Sequence, residues 1–148
     1  MERSLVLIKP DAMQRALAGQ IISRLERKGL KIIAVKMLHM DRNLARRHYA
    51  IHEGKAFFDD LVSFITSSPL IAIVFQGENA VQIIRQMMGE TDPAKAASGT
   101  IRGDFGIDAG HNLVHGSDSP ENASKEIDLF FSAEEIFDYD REVDTWIY

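Results

Sequence analysis

The chain has 148 residues, 45% of them apolar and 26% charged, with a formal net charge of −5; this is the balance of one globular domain, read here as residues 1–148. An acidic chain is poorly suited to charge-driven binding of nucleic acid, so an anionic ligand would need a local basic pocket. Cysteine is absent, which excludes disulfides and thiolate metal sites, and the longest apolar run, Leu70 to Phe75, falls far short of the roughly 20 residues a membrane helix needs.

Leu5 to Ile8 reads as a buried strand stopped by Lys9-Pro10. It is too short and too abruptly ended for a signal peptide, so a cytoplasmic protein is expected. Asp11 is expected to cap one helix whose apolar face is Met13, Leu17, Ile21, Ile22 and Leu25, bent or weakened at Gly19 and ended by Gly29. Leu30 to Met40 is a second strand. Asp41 or Asn43 starts a short helix carrying His48, Tyr49 and His52; Gly54 breaks it, and a further helix presents Phe57, Leu61, Phe64 and Ile65. Leu70 to Phe75 is a third buried strand, and Asn79 caps a helix that runs to Gly89. The stretch from Glu90 to His111 has no sustained period, opens with Thr91-Asp92-Pro93 as a one-turn helix start, and holds Gly99, Gly103, Gly106 and Gly110. Such a loop inside a compact domain is usually functional. Strand-like Leu113 and Val114 lead into His115, and Ser119-Pro120-Glu121 read as N-cap, N1 and N2 of a last helix ending at Phe131. In the tail, acids alternate with Ile136, Phe137, Tyr139, Val143, Trp146 and Ile147. Four strands alternating with helices imply an α/β or α+β sandwich with one sheet.

His115 is the residue with the most chemistry to offer. At a strand-to-helix junction it faces the positive end of a helix dipole, where an imidazole can serve as base, metal ligand or nucleophile. With no Cys to share a metal, and with Asn112, Ser117, Arg102 and Lys9 as groups able to hold an oxyanion, the neighbourhood suits phosphate rather than zinc. No Gly-x-x-x-x-Gly-Lys-Ser/Thr or Gly-x-Gly-x-x-Gly is present, so side chains must hold any phosphate: Lys9 at a strand end, Arg85 on a helix, Arg102 in the glycine loop. His48 and His52 stand at i, i+4, a metal-ligand spacing. They lack the His-Glu-x-x-His pattern and a third ligand, so no metal site is expected there. Phe57 sits at a helix start, where an aromatic can stay half exposed and stack a base. Glu126 lies where the last helix could return a carboxylate to His115, with Ser117 between them.

At this point the chain resembles the nucleoside diphosphate kinases. Asn112-Leu113-Val114-His115-Gly116-Ser117-Asp118 matches that family's active-site signature. Leu7-Ile8-Lys9-Pro10-Asp11, His48-Tyr49, Lys55-Ala56-Phe57-Phe58, Gly89-Glu90-Thr91-Asp92-Pro93 and Thr100-Ile101-Arg102-Gly103-Asp104-Phe105 follow the family's order. The resemblance implies an α+β fold: a ferredoxin-like βαββαβ sandwich with a four-stranded antiparallel sheet and a helical hairpin inserted at Asn43 to Thr66. It implies ping-pong transfer of the γ-phosphoryl of ATP or another nucleoside triphosphate to a nucleoside diphosphate, with His115 phosphorylated on Nδ1. Glu126 would fix its tautomer and Ser117 would steady Glu126. Lys9 would contact the γ-phosphoryl and, with Asn112, the ribose 3′-hydroxyl. Arg85 and Thr91 would hold the β-phosphate, Arg102 the β- and γ-phosphates, and His52 the α-phosphate, with Tyr49 beside His115. Phe57 would stack the base, Leu61 would lie alongside, and Ala109 would stand at the base's other face, where many relatives carry valine. Mg²⁺ would come bound to the nucleotide phosphates, and the assembly would be a homo-oligomer, a hexamer with a tetramer as runner-up. Rival readings are a catalytically silent nucleotide-binding scaffold, distinguished by phosphate exchange, and a protein phosphohistidine relay.

Overall fold

The computed structural model describes residues 1–148. Its sheet is built from β1 (Glu2–Ile8), β2 (Lys31–Leu38), β3 (Leu70–Gly77) and β4 (Val114–Gly116). The strand order is β2-β3-β1-β4, and every neighbouring pair is antiparallel. The fold is therefore α+β with βαββαβ connectivity. β1 and β3 are central and covered on both faces, which is why Leu5-Val6-Leu7-Ile8 and Leu70 to Phe75 are continuous apolar runs. Alternate residues feed two cores: Leu5, Leu7, Ala72 and Val74 pack with Phe58, Val62, Ile65, Ile127 and Phe130 on one face. Val6, Ile8, Ile73 and Phe75 pack with Ile21, Leu25, Ile84 and Met88 on the other.

The helices are α1 (Pro10–Gln14), α2 (Ala18–Arg27), α3 (Arg42–His48), α4 (Phe58–Ile65), α5 (Ala80–Met88), α6 (Ile101–Phe105) and α7 (Pro120–Phe130). α3 and α4 form the hairpin inserted between β2 and β3. Several sequence expectations need correction. The expected single helix after Lys9 is two helices, because Ala16 adopts a left-handed φ of 57°; Gly19 lies inside α2 and is not the break. Asp11 does not cap α1, whose N-cap is Lys9. Asn79 holds the N-cap position of α5 at φ 54° without a side-chain cap bond; the Glu2 carboxylate accepts from Val81 N–H instead. The one-turn start expected at Thr91-Asp92-Pro93 is a 3₁₀ segment at Pro93–Lys95, but the rest of that stretch is not structureless: it contains α6, capped by Thr100, and a second 3₁₀ segment at Ala109–His111. A Cβ at Gly103 would fall on the Ala97 carbonyl, so this tight helix needs glycine there. Of the two proposed starts for α3, Asp41 is the cap, accepting from Leu44 N–H.

The tail docks on its own domain along β2: Phe137 N–H donates to Ile33 O at 2.9 Å, and Lys31 donates to the Tyr139 carbonyl. Further on, β2 is an open edge with Val35 and Met37 56% and 62% exposed. No helix is long and apolar enough to cross a membrane.

Candidate active site

The site grows from the junction of β1 and β4. Their pairing sets His115 opposite Leu7, so Lys9, leaving β1, and His115, near the middle of β4, come to the same end of the sheet. Leu113 just before β4 is not strand-like as expected: it is fully buried and left-handed at φ 73°, a strain that surrounding bonds must hold. They do so from both sides. The Asp11 carboxylate accepts from Leu113 N–H at 3.0 Å, and Lys9 N–H donates to Leu113 O at 2.9 Å. Asp11 therefore clamps the turn that places Asn112 and His115.

Beside this junction opens a cleft of about 670 Å³. Lys9, Asn112 and His115 lie within it; Tyr49, His52, Phe57 and Leu61 line it from the α3–α4 hairpin; Arg85, Thr91 and Arg102 line the opposite side, and Glu126 comes from α7. Two predicted residues are placed differently. Ser117 is fully buried behind the cleft, and Ala109 is exposed on its 3₁₀ turn, outside the lining. Five cations, Lys9, Arg47, Arg85, Arg102 and Lys125, face two carboxylates, Asp118 and Glu126. This is a cationic pocket in an acidic chain, suited to an anion.

His115 is tied on one nitrogen only. Its Nε2 lies 3.0 Å from Glu126 Oε1, and Ser117 Oγ donates to the same oxygen at 2.7 Å. Ser117 in turn accepts from Leu5 N–H at 3.1 Å, so the chain of bonds is anchored in central strand β1. Burial pushes the Glu126 carboxyl up, but hydrogen bonds from His115 and Ser117 and the imidazole's charge outweigh it, and its pKa is lowered overall. Glu126 is thus an ionised acceptor, and a carboxylate at Nε2 selects the tautomer whose free lone pair is on Nδ1.

Lys9 Nζ donates to Asn112 Oδ1 at 2.7 Å, and Asn112 Nδ2 donates to Thr91 O at 3.1 Å. Burial, then the charge of Arg102, lowers the Lys9 pKa to about 8, with Asp11 opposing. Arg102 is buried rather than free in a loop: its guanidinium donates to the carbonyls of Asn112, Gly89 and Val114. Three of its five N–H groups hold the site's backbone and two remain for a ligand. Burial, then Arg85, lowers its pKa to about 10, so it stays charged at neutral pH. Phe57 is 47% exposed, with its ring 5.3 Å from that of His52, an apolar face open to a planar ligand.

The i, i+4 reading of His48 and His52 fails because α3 ends at His48 and His52 belongs to a separate 3₁₀ turn. It is His48, given no role in the sequence reading, that meets the centre of the site. Its ring packs edge-on to His115 with centroids 4.7 Å apart. Burial, then His115, lowers its pKa to about 3 against the pull of Glu126, so it is neutral. Beside it, burial raises the Tyr49 hydroxyl to about 12.

The nucleoside diphosphate kinase family model matches residues 2–136. A nucleoside diphosphate kinase of Roseiflexus sp. (strain RS-1) is 56% identical over 148 residues, covering 100% of this chain and 99% of that protein. One from Archaeoglobus fulgidus is 55% identical over the whole chain and 98% of its own length. Among solved structures, the Halobacterium salinarum enzyme in complex with CDP superposes with a TM-score of 0.97 at 52% identity, covering 99% of this chain and 98% of that one. Matching fold, chain length and sequence together, the chain belongs to the nucleoside diphosphate kinase family, whose members are nucleotide-using phosphotransferases.

Proposed function

We propose that the enzyme moves the γ-phosphoryl of ATP or another nucleoside triphosphate onto His115 Nδ1 and then onto a second nucleoside diphosphate. The observation that carries this reading is the single tie on His115, with Nε2 held by Glu126 and Nδ1 left free beside a cationic cleft. In the first half-reaction the Nδ1 lone pair forms the N–P bond while the bond from phosphorus to the β-phosphate oxygen breaks, and the diphosphate leaves with that electron pair. The ring, bonded at Nδ1 and protonated at Nε2, becomes cationic and Glu126 stabilises it. In the second half an oxygen of the incoming diphosphate attacks phosphorus, the N–P bond breaks, and the lone pair returns to Nδ1. One site thus serves donor and acceptor in turn.

The other residues position and neutralise, which is most of what phosphoryl transfer needs. Lys9 contacts the γ-phosphoryl and shares the ribose 3′-hydroxyl with Asn112. Arg85 and Thr91 take the β-phosphate, Arg102 the β- and γ-phosphates, His52 the α-phosphate, and Tyr49 flanks His115. Phe57 stacks the base with Leu61 alongside, while Ala109, outside the lining, offers little to the other face. A base held by stacking alone is weakly discriminated, so purines and pyrimidines both serve. The cleft has only Asp118 and an already engaged Glu126 as carboxylates, a donor set that fits Mg²⁺ arriving on the nucleotide phosphates rather than on the protein. When bound it supplies charge neutralisation along the phosphate chain. We place this work on free nucleotides in the cytoplasm by one domain spanning residues 1–148.

Phosphate exchange between ATP and a different nucleoside diphosphate tests the reading, and parallel-line double-reciprocal kinetics are the expected outcome. Intersecting lines would mean that both nucleotides bind at once. Lys9 adds a pH signature. Its folded pKa, about 8 against 10.5, means that the cation is present below about 8 and lost above it. KM for nucleotide should rise with pH through that range, and Lys9→Gln should abolish the rise. Stability moves oppositely, since the unfolded chain binds more protons between about 8 and 10.5: the Lys9 contribution to stability grows as pH rises through that window. A KM that is flat with pH in the parent enzyme contradicts this role for Lys9.

We further propose a homohexamer. The open β2 edge with Val35 and Met37, together with Ile107 and Trp146 at 85% and 88% exposure, leaves large apolar side chains in water. Surfaces of this kind are ordinarily covered by a partner. Light scattering at micromolar concentration should give six times the chain mass; a monomer mass would refute the assembly and leave the catalytic reading intact.

A further inference from the structure

The pair that prepares His115 for phosphoryl transfer has a third donor beside it, His48, which that reaction leaves unused. Donor atoms of His48, His115 and Glu126 all lie within 4.8 Å of one another, and the buried Nδ1 of His48 has no hydrogen-bond partner. All three residues line the cleft, so the cluster can be reached from solvent. Zinc–ligand bonds of about 2.0–2.2 Å put tetrahedral donors about 3.3–3.6 Å apart. The His115–Glu126 separation of 3.0 Å is already close to that, so only His48 needs to move, by about an ångström. Two imidazoles and one carboxylate, with a fourth position open to water, form a donor set that favours zinc-like ions over oxygen-seeking Mg²⁺.

We propose that His48, His115 and Glu126 form an inhibitory binding site for zinc or a similar divalent transition-metal cation, separate from any Mg²⁺ carried by nucleotide. The ion would bond to His115 Nε2, one nitrogen of His48 and a Glu126 oxygen. In its neutral form the His115 ring has a single N–H. When the metal takes the Nε2 lone pair, that proton relocates through solvent to Nδ1, with no net proton gained or lost, and Glu126 exchanges a hydrogen bond for a metal bond. Nδ1 then has no lone pair for phosphorus. Metal occupancy and nucleophilic attack exclude each other at one ring. The binding half of this inference stands on geometry alone; the inhibitory half rests on the proposed role of Nδ1.

Cobalt(II) is the probe. Titrated into the full, nucleotide-free chain, Co²⁺ should develop the intense visible bands of a low-coordinate nitrogen-ligated ion at one equivalent, and Zn²⁺ should displace them. His48→Gln and Glu126→Gln should each weaken binding at least about tenfold. His111→Ala, which removes the exposed His111–Asp108 pair, should leave it unchanged. Bands that persist in both site variants, or that disappear with His111→Ala, overturn the site. For the inhibitory half, enzyme loaded with one equivalent of Zn²⁺ is labelled with Mg-saturated ATP. Labelling should be suppressed and should return with a chelator. Undiminished labelling of loaded enzyme overturns the inhibition. Failure of metal-free enzyme to label overturns it together with the proposed reaction, while the cobalt titration still decides whether the site exists.

Discussion

His115→Ala is expected to lower phosphate exchange by about 10⁴-fold or more while changing nucleotide affinity only a few-fold. The asymmetry follows from the layout of the cleft. The cations proposed to grip phosphate are Lys9, Arg85 and Arg102, and the base platform is Phe57; none depends on the imidazole for its position. Lys9 is held by Asn112 and Arg102 by three backbone carbonyls. Removing the ring deletes the nucleophile and leaves a site that still binds. Isothermal titration with a nucleoside diphosphate alongside the exchange assay reads both quantities. Residual exchange within tenfold of the parent would mean that the phosphoryl group never rests on His115.

The second large effect is expected at Glu126. Glu126→Gln keeps size and shape but turns an ionised acceptor into an amide. If its NH₂ group faces Nε2, it donates there and forces the proton onto Nδ1, the wrong tautomer for attack. If its carbonyl faces Nε2, the charge that would stabilise the phosphorylated ring is gone. Loss of a carboxylate orienting a catalytic histidine costs up to about 10⁴ in turnover in the best-known example, and a fall of about 10²–10⁴ in kcat with little change in nucleotide binding is expected here. Ser117→Ala removes only the steadying donor and should cost less. Rapid quench of the first half-reaction separates chemistry from binding. Parent-like phosphorylation in Glu126→Gln would remove Glu126 from the catalytic machinery.

Much of the fold was legible from local pattern. The continuous apolar runs of β1 and β3 announce strands covered on both faces, and Ser119-Pro120 announces the start of α7. Where the sequence reading failed, the cause was a tertiary restraint that local pattern does not encode. Ala16 carries no mark of a left-handed backbone, yet it breaks the expected helix in two. Leu113 has every property of a strand residue and is held left-handed by Asp11, from a distant part of the chain. α6 is only five residues long with Gly103 inside it, too short for periodicity to be seen and helical only because Gly103 clears the Ala97 carbonyl. The site residues singled out by motif matching all line the cleft except Ser117, buried behind it, and Ala109, exposed outside it. Motif matching passed over His48, whose importance comes from the end of α3 being packed against α7 through Phe130 and against His115. A histidine at a helix end carries no signal of that kind in sequence; only the folded chain supplies it.

The central claim is that a phosphoryl group resides on one ring nitrogen of one histidine. Brief incubation with γ-labelled ATP and Mg²⁺, followed by peptide mapping under alkaline conditions, tests it directly. The expected result is a single acid-labile, base-stable label on the peptide containing His115, bonded at Nδ1 and discharged by added nucleoside diphosphate. Label on His48, His52, His111 or a serine, or transfer that proceeds with no labelled peptide, would contradict the account.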